Sequence, residues 1–196
     1  MGDDSTRFIV RLLISVLIAA AMVLITVIAT GSPLDETGGK AIATAVTVAL
    51  CSLAGAMGTN LVRRQPGLAL FGYLTAAVAL VAFVSVTLAI WADGAQDGNW
   101  RVAAAASILA IGSGHASLLL ASARAEDSDA VRLTRAGVLL AIALLCPMAI
   151  VEISSPGPDV GVRPIAVLAV LYLLGTVLLP LLRRSGSPRR YDAASR

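Results

Sequence analysis

The sequence is poor in charge and in the side chains that build catalytic or metal centres. Charged residues make up 14% of the 196 positions, aromatic residues make up 4%, and the chain has 1 histidine and 2 cysteines. Soluble domains carry roughly 25% charged residues, so this deficit excludes an ordinary soluble domain. Cys51 and Cys146 lack metal-ligand spacing. We therefore predict no metal site, no cofactor and no nucleic-acid partner.

Long apolar runs take the place of the missing charge. Hydrophobic residues make up 58% of the chain, and the mean hydropathy is +0.87. A helix that crosses a bilayer needs about 20 predominantly apolar residues. The sequence predicts an all-α integral membrane protein whose transmembrane domain covers residues 1–184, followed by a disordered, basic cytoplasmic tail at 185–196. The six predicted transmembrane helices are segments 8–30, 41–62, 68–92, 102–123, 134–153 and 164–182.

The first of these segments has the charged start and apolar middle of a signal peptide. Its apolar run after Arg11 is longer than the roughly 7–15 residues of a cleaved signal. The acidic residues Asp3 and Asp4 are also unusual for such a start. We predict a retained helix.

The basic residues divide unevenly between the two ends of the predicted helices. On one side lie only Lys40, Arg101 and Arg163. The other side has the remaining arginines, and short cytoplasmic loops collect Lys and Arg, so both termini are predicted to be cytoplasmic. The excess of Arg over Lys, with heavy use of Ala, Val, Leu and Gly, is typical of a GC-rich bacterial genome. We therefore place the protein in the plasma (inner) membrane of a bacterium.

The three outer basic residues recur with a regular spacing. Lys40, Arg101 and Arg163 are separated by 61 and 62 residues. Each opens the second helix of a predicted outward-facing hairpin, after a loop that contains acidic residues. This pattern predicts three helical hairpins related by an internal repeat of about 61 residues. Helix length alone could produce the same spacing. Glu152 is expected to join the three basic residues at the outer mouth, with Arg163 or Lys40 as its ion-pair partner.

The single histidine lies in the apolar stretch ILAIGSGHASLLL at 108–120. Ser113-Gly114-His115 resembles the Ser-Gly-His element of membrane lipid phosphatases, and Gly112-Ser113-Gly114 resembles the serine setting of rhomboid-type proteases. The first chemistry needs a second histidine, and the second needs its histidine on another helix. Haem would need an axial ligand and commonly a second one across the bundle. We therefore predict that the protein is not an enzyme.

Polar side chains inside a membrane generally face the bundle interior, where they serve packing or function. For His115 the two interpretations are a hydrogen bond to a neighbouring helix and a place in a ligand pocket. The candidate ligand-binding residues are His115, Ser113, Tyr73 and Asn60.

Small residues spaced four apart predict where the helices pack. Close backbone approach at such residues supplies much of the association between helices in lipid. Segments 41–62 and 102–123 are therefore expected to form the core, whereas segments 8–30, 68–92 and 164–182 are expected to face lipid more. The predicted helix-packing residues are Ala54, Gly58, Gly112, Gly114 and Ala116.

With no catalytic constellation, we expect an accessory or assembly subunit of a membrane complex. Its expected partners are the lipid bilayer and other membrane protein subunits or further copies of itself. The alternative is a small-solute transporter or substrate-capture subunit with a pocket near His115. In size the chain resembles the substrate-binding components of energy-coupling-factor vitamin transporters. Those proteins dock through small residues in their first helix, for which Ala19, Ala20 and Ala21 would be the counterpart.

Overall fold

The computed structural model of the protein describes residues 36–92, 97–154 and 162–185. Over these residues the chain forms five long helices and one 3-10 turn at Pro66–Leu68. All five helices are long and apolar enough to cross a membrane. The all-helical class is thereby confirmed, and the helices indicate a multi-pass membrane protein. The helices are α1 (Glu36–Arg64), α2 (Ala69–Trp91), α3 (Asp97–Ala121), α4 (Asp129–Ser154) and α5 (Val162–Ser185).

Each helix corresponds to one predicted apolar segment, and the first predicted segment, 8–30, lies outside the described residues. Helix α1 extends past its apolar run at both ends, where it carries charges that suit the helix dipole. In α1, Glu36 lies in the first turn, and Arg63 and Arg64 lie in the last. The helix ends before Pro66, since a residue that precedes proline disfavours helical backbone. The predicted segments and the five described helices therefore agree in type and place, while the ends of α1 follow charge and proline.

The described helices belong to two compact units that divide between Leu118 and Leu119. In the first unit, α1, α2 and α3 share a core of alanine side chains, packed against Cys51 and Val78. Alanine allows close approach of the helix backbones, which strengthens dispersion contacts where lipid offers no hydrophobic drive. The core alanines are Ala54, Ala79, Ala82, Ala106 and Ala110.

The closest approach in this unit is between two glycines of α1 and α2. A Cβ atom added to Gly58 would lie 2.5 Å from the carbonyl oxygen of Gly72, and the same holds in reverse. The Cβ of Thr75 would be 3.0 Å from the Gly58 substituent. Only a residue without a side chain fits at either position. Near the other end of this pair, the indole Nε1 of Trp91 donates to the Thr44 hydroxyl at 2.9 Å.

The expectation that segment 68–92 faces lipid more than segment 41–62 is wrong, because one side of α2 is buried: 28% of its membrane-spanning part is buried, against 17% for α1. That side buries small residues at intervals of three and four, which places them on a single face of the helix. The opposite side exposes large residues such as Leu70, Leu74 and Leu80. The numerous leucines and valines hide the small-residue stripe in the sequence. The buried stripe consists of Gly72, Thr75, Ala79, Ala82 and Ala89.

The second unit contains the helix pair α4 and α5. Val138 of α4 fills the space that a side chain on Gly175 of α5 would need. Around this contact α4 buries Val131, Ala141 and Ile142. Only 6% of the membrane-spanning part of α5 is buried. Val138 and Gly175 thus mark a close approach of the two helices, while most of the surface of α5 is open.

We expect Gly58→Ala to destabilise the protein by about 1–3 kcal/mol, because the added methyl group forces α1 and α2 apart. The measurement is the midpoint of denaturant-induced unfolding of the purified protein in detergent. Gly55→Ala is the matched control on the same helix, since its added Cβ would meet no atom within 4 Å. Equal effects of the two substitutions would refute the tight glycine crossing.

Candidate functional site

A buried hydrogen bond joins α2 and α3 close to the glycine crossing. The hydroxyl oxygens of Thr75 and Ser117 are 3.0 Å apart, and both residues are 0% exposed. Thr75 also donates to the carbonyl oxygen of Phe71 at 3.0 Å. Because Thr75 has a single hydroxyl proton, Ser117 is the donor of the interhelical bond. The pair satisfies two buried hydroxyl groups and fixes the register of the two helices.

His115 lies on α3 beside another close contact. A Cβ on its neighbour Gly114 would lie 3.1 Å from the Cα and Cβ atoms of Ala54 on α1. His115 itself is half-buried. Ser113 donates within its own helix, to the carbonyl oxygen of Leu109 at 2.6 Å. The backbones of α1 and α3 are thus packed directly together at the level of the histidine.

The other two candidate ligand-binding residues have different environments. Tyr73 is 62% exposed on α2, whereas Asn60 is half-buried on α1. A side chain as open as Tyr73 contributes little to an enclosed pocket. The ligand-binding role of these residues and of His115 stays a prediction.

Two apolar grooves lie next to Cys51 in the described part of the first unit. One, of about 250 Å³, lies between α1 and α2 and includes Cys51, Gly55 and Phe83. The other, of about 90 Å³, includes Cys51, Ala54 and Ile111. Neither groove is lined by His115, Ser113, Tyr73 or Asn60.

Four of the five predicted packing residues are buried, and the fifth is half-buried. Ala54 and Gly114 contact each other, and Gly58 contacts Gly72. Ala116 is buried next to Ser117, and Gly112 is the half-buried residue.

The outer charges are distributed over several helices. Lys40 forms an ion pair with Glu36 one turn earlier, with a nitrogen–oxygen distance of 2.7 Å. Arg101 is exposed on α3, and Glu152 is half-buried near the end of α4. The side chain of Arg163 lies outside the described residues. A grouping of the four charges at one mouth stays a prediction.

The most strongly organised polar site lies in the second unit, around Asp127 in the segment before α4. Its carboxylate oxygen Oδ2 accepts a hydrogen bond from Arg135 Nη1 at 2.7 Å and another from Arg183 Nη2 at 3.1 Å. It also accepts from the backbone N–H of Arg124 at 3.0 Å. Arg183 donates in addition to the carbonyl oxygen of Ser122 at 2.7 Å. The start of α4 and the end of α5 therefore meet at one carboxylate, which we call the Asp127 clamp.

The electrostatics of the clamp favour an ionised carboxylate. The Asp127 side chain is 5% exposed, and this burial raises its pKa. The backbone N–H of Arg124 and the guanidinium groups of Arg135 and Arg183 lower it by more, so the pKa falls from 3.8 to about 2. Two cations on one anion leave this end of the helix pair positively charged.

The sequence analysis does not predict the clamp. The basic residues there indicate only the orientation of the helices, and the acidic residues between α3 and α4 have no assigned role. The stretch Arg-Ala-Glu-Asp-Ser-Asp at 124–129 contains three carboxylates among the arginines of a short loop. Carboxylates in an otherwise basic loop are candidates for ion pairing. Composition does not identify which of the three is buried, since that depends on the loop conformation.

The described residues contain no group of three or more His, Cys, Asp or Glu side chains that could hold a metal ion. Several polar atoms in the described helices bond to their own helix or to a neighbouring one, as those of Thr75 and Ser117 do. The Thr75–Ser117 bond holds α2 and α3 in register.

No family model, no characterised protein and no solved structure matches this chain. The interpretation of the protein therefore depends on its own residues and their geometry.

We expect Asp127→Asn to destabilise the helix pair by about 2–3 kcal/mol, because two partly exposed guanidinium groups lose their counter-charge. Thermal unfolding in detergent measures the loss. Glu126→Gln is the control, since Glu126 is an exposed neighbour in the same segment. A loss of similar size in the control would show that net charge matters and the clamp geometry does not.

The clamp also predicts a pH dependence at low pH. Because folding lowers the pKa of Asp127, its contribution is complete above the unfolded value of 3.8 and is lost as the pH falls through about 2. Unfolding midpoints measured downward from about pH 5 should therefore fall more steeply for the native protein than for Asp127→Asn. Parallel curves would contradict an ionised carboxylate in the folded state.

Proposed function

We propose that this protein is a non-enzymatic accessory or assembly subunit of a membrane complex. The observation that carries the proposal is the direct backbone contact of α1 and α3 at the level of His115. There the Cα and Cβ atoms of Ala54 stand 3.1 Å from the position of a Cβ on Gly114. This contact leaves no space for a ligand between α1 and α3 on the Gly114 side of α3.

The buried polar groups of the first unit support the same conclusion. Thr75 and Ser117 use their hydroxyl groups on each other and on the helix backbone. Ligand sites instead present a few polar groups toward an open cavity. These two hydroxyl groups stabilise a helix contact, which suits a protein whose role is to be a rigid structural component.

The outer surface supports an assembly role as well. Large apolar side chains are exposed along α5, including Val170, Leu173 and Val177. Such a surface is compatible with lipid and equally with the apolar helix of another subunit. We propose that partner subunits, or further copies of this chain, cover part of it.

The proposed topology has six transmembrane helices in three outward-facing hairpins, with both termini in the cytoplasm. Arginines at the ends of α1 and α5 and between α3 and α4 support this orientation, since basic residues collect in cytoplasmic loops. The arrangement places the Asp127 clamp on the cytoplasmic side. The internal repeat of about 61 residues and the bacterial plasma membrane belong to the same proposal.

The test is native mass spectrometry of the protein, purified gently from its own membrane. We expect a partner protein at fixed stoichiometry, and we expect His115→Ala to leave that association intact, because His115 is assigned no role in partner binding. Gly58→Ala should weaken the association, since it distorts the helix packing that presents the surface.

Two outcomes would overturn the proposal. One is a bound small molecule, in place of a protein, that is lost in His115→Ala; this would indicate a substrate-capture subunit. The other is a protein that carries neither a partner nor a second copy over a range of mild detergents. Gly55→Ala serves as the control for Gly58→Ala, because it adds the same methyl group where no atom lies within 4 Å.

A further inference from the structure

The second unit contains an apolar groove that its own helices leave open. It lies between α4 and α5 and has a volume of about 360 Å³. Leucines from both helices form its walls, among them Leu140, Leu144 and Leu171, all exposed. The groove includes Gly137, where an added Cβ would meet no atom within 4 Å. Thr134 is the one polar side chain in its lining, and its hydroxyl donates to the carbonyl oxygen of Ala130 at 2.8 Å.

The length of the groove matches one leaflet of a bilayer. It extends from Thr134 to Leu144 on α4 and from Leu168 to Leu178 on α5. At a rise of 1.5 Å per residue this is about 15 Å, half of a hydrocarbon core of about 30 Å. An acyl chain that filled it would therefore belong to a single leaflet.

One end of the groove is rich in arginine side chains. Thr134 adjoins Arg135, and Leu178 precedes Arg183 by little more than a helical turn, so the Asp127 clamp lies at this end. Arg132 and Arg184 are exposed nearby. The segments around the clamp carry five arginines against three acidic residues, which are Arg124, Arg132, Arg135, Arg183, Arg184, Glu126, Asp127 and Asp129.

We propose that the α4–α5 groove binds an anionic phospholipid. One acyl chain lies along the leucines, and the phosphate lies at the arginine end, where the exposed guanidinium groups of Arg132 and Arg184 donate to its oxygens. The Asp127 clamp stays intact, since its carboxylate keeps Arg135 and Arg183 in place. A basic residue near a membrane surface attracts an anionic headgroup, and guanidinium groups match phosphate oxygens in geometry.

The first test compares phosphatidylglycerol with phosphatidylcholine. The full chain is exchanged into mixed micelles of each lipid in turn, and retained lipid is counted by native mass spectrometry. We expect selective retention of phosphatidylglycerol, and we expect Arg184→Gln to weaken it by about fivefold. Equal retention of the two lipids by the unaltered protein would overturn the proposal, and this result does not depend on any variant folding correctly.

The second test fills the groove. Gly137→Leu should abolish most of the preference for phosphatidylglycerol, because the new side chain occupies the path of the acyl chain. Gly55→Leu is the matched control: it places the same side chain in the α1–α2 groove, again with no atom within 4 Å of the added Cβ. Helical content and elution volume show whether each variant is folded. An unchanged preference in folded Gly137→Leu would exclude the groove as the site.

Other occupants give different results. Displacement of the lipid by millimolar inorganic phosphate would show that the arginines bind phosphate without the groove, which contradicts the proposal. A dimer whose abundance falls in Gly137→Leu, with lipid retention unchanged, would assign the groove to a second copy of the chain and would also overturn it.

Discussion

The structure of the first unit depends on how closely two helix backbones can approach. At the crossing of α1 and α2, Gly58 and Gly72 leave no space for even a methyl group. In water such a contact would add to the hydrophobic effect. Within lipid the hydrophobic contribution to helix association is small, so short-range dispersion supplies most of the association. The alanine core lies in the same unit, and Thr75, whose Cβ borders this crossing, also bonds to Ser117 of α3.

Hydropathy predicts the described helices well because the length of an apolar run is a local property of the chain. Each of the five predicted segments between 41 and 182 corresponds to one helix. Which faces pack together is less visible, since it depends on the periodic position of a few small residues. In segment 41–62 small residues are frequent and the packing face stands out. In segment 68–92 they are hidden among Leu and Val, although Gly72, Thr75, Ala79 and Ala82 share one face.

The ion pairs of the candidate site are also only partly predictable from the sequence. The distribution of arginines along the sequence predicts where positive charge collects. It assigns all the arginines of the clamp to one side of the membrane. The sequence does not show which carboxylate organises these arginines, because Glu126, Asp127 and Asp129 are all acidic and lie in the same short segment. Only the loop conformation, with the N–H of Arg124 donating to Asp127, separates the buried acid from its neighbours.

The Asp127 clamp has a consequence for the order of biosynthesis. During synthesis Asp127 and Arg135 leave the ribosome before Arg183, which follows only after α4 and nearly all of α5 have been made. The third member can reach the carboxylate only if both helices have crossed the bilayer and returned the chain to its starting side. Completion of the clamp thus distinguishes a correctly inserted helix pair from one whose last helix failed to cross.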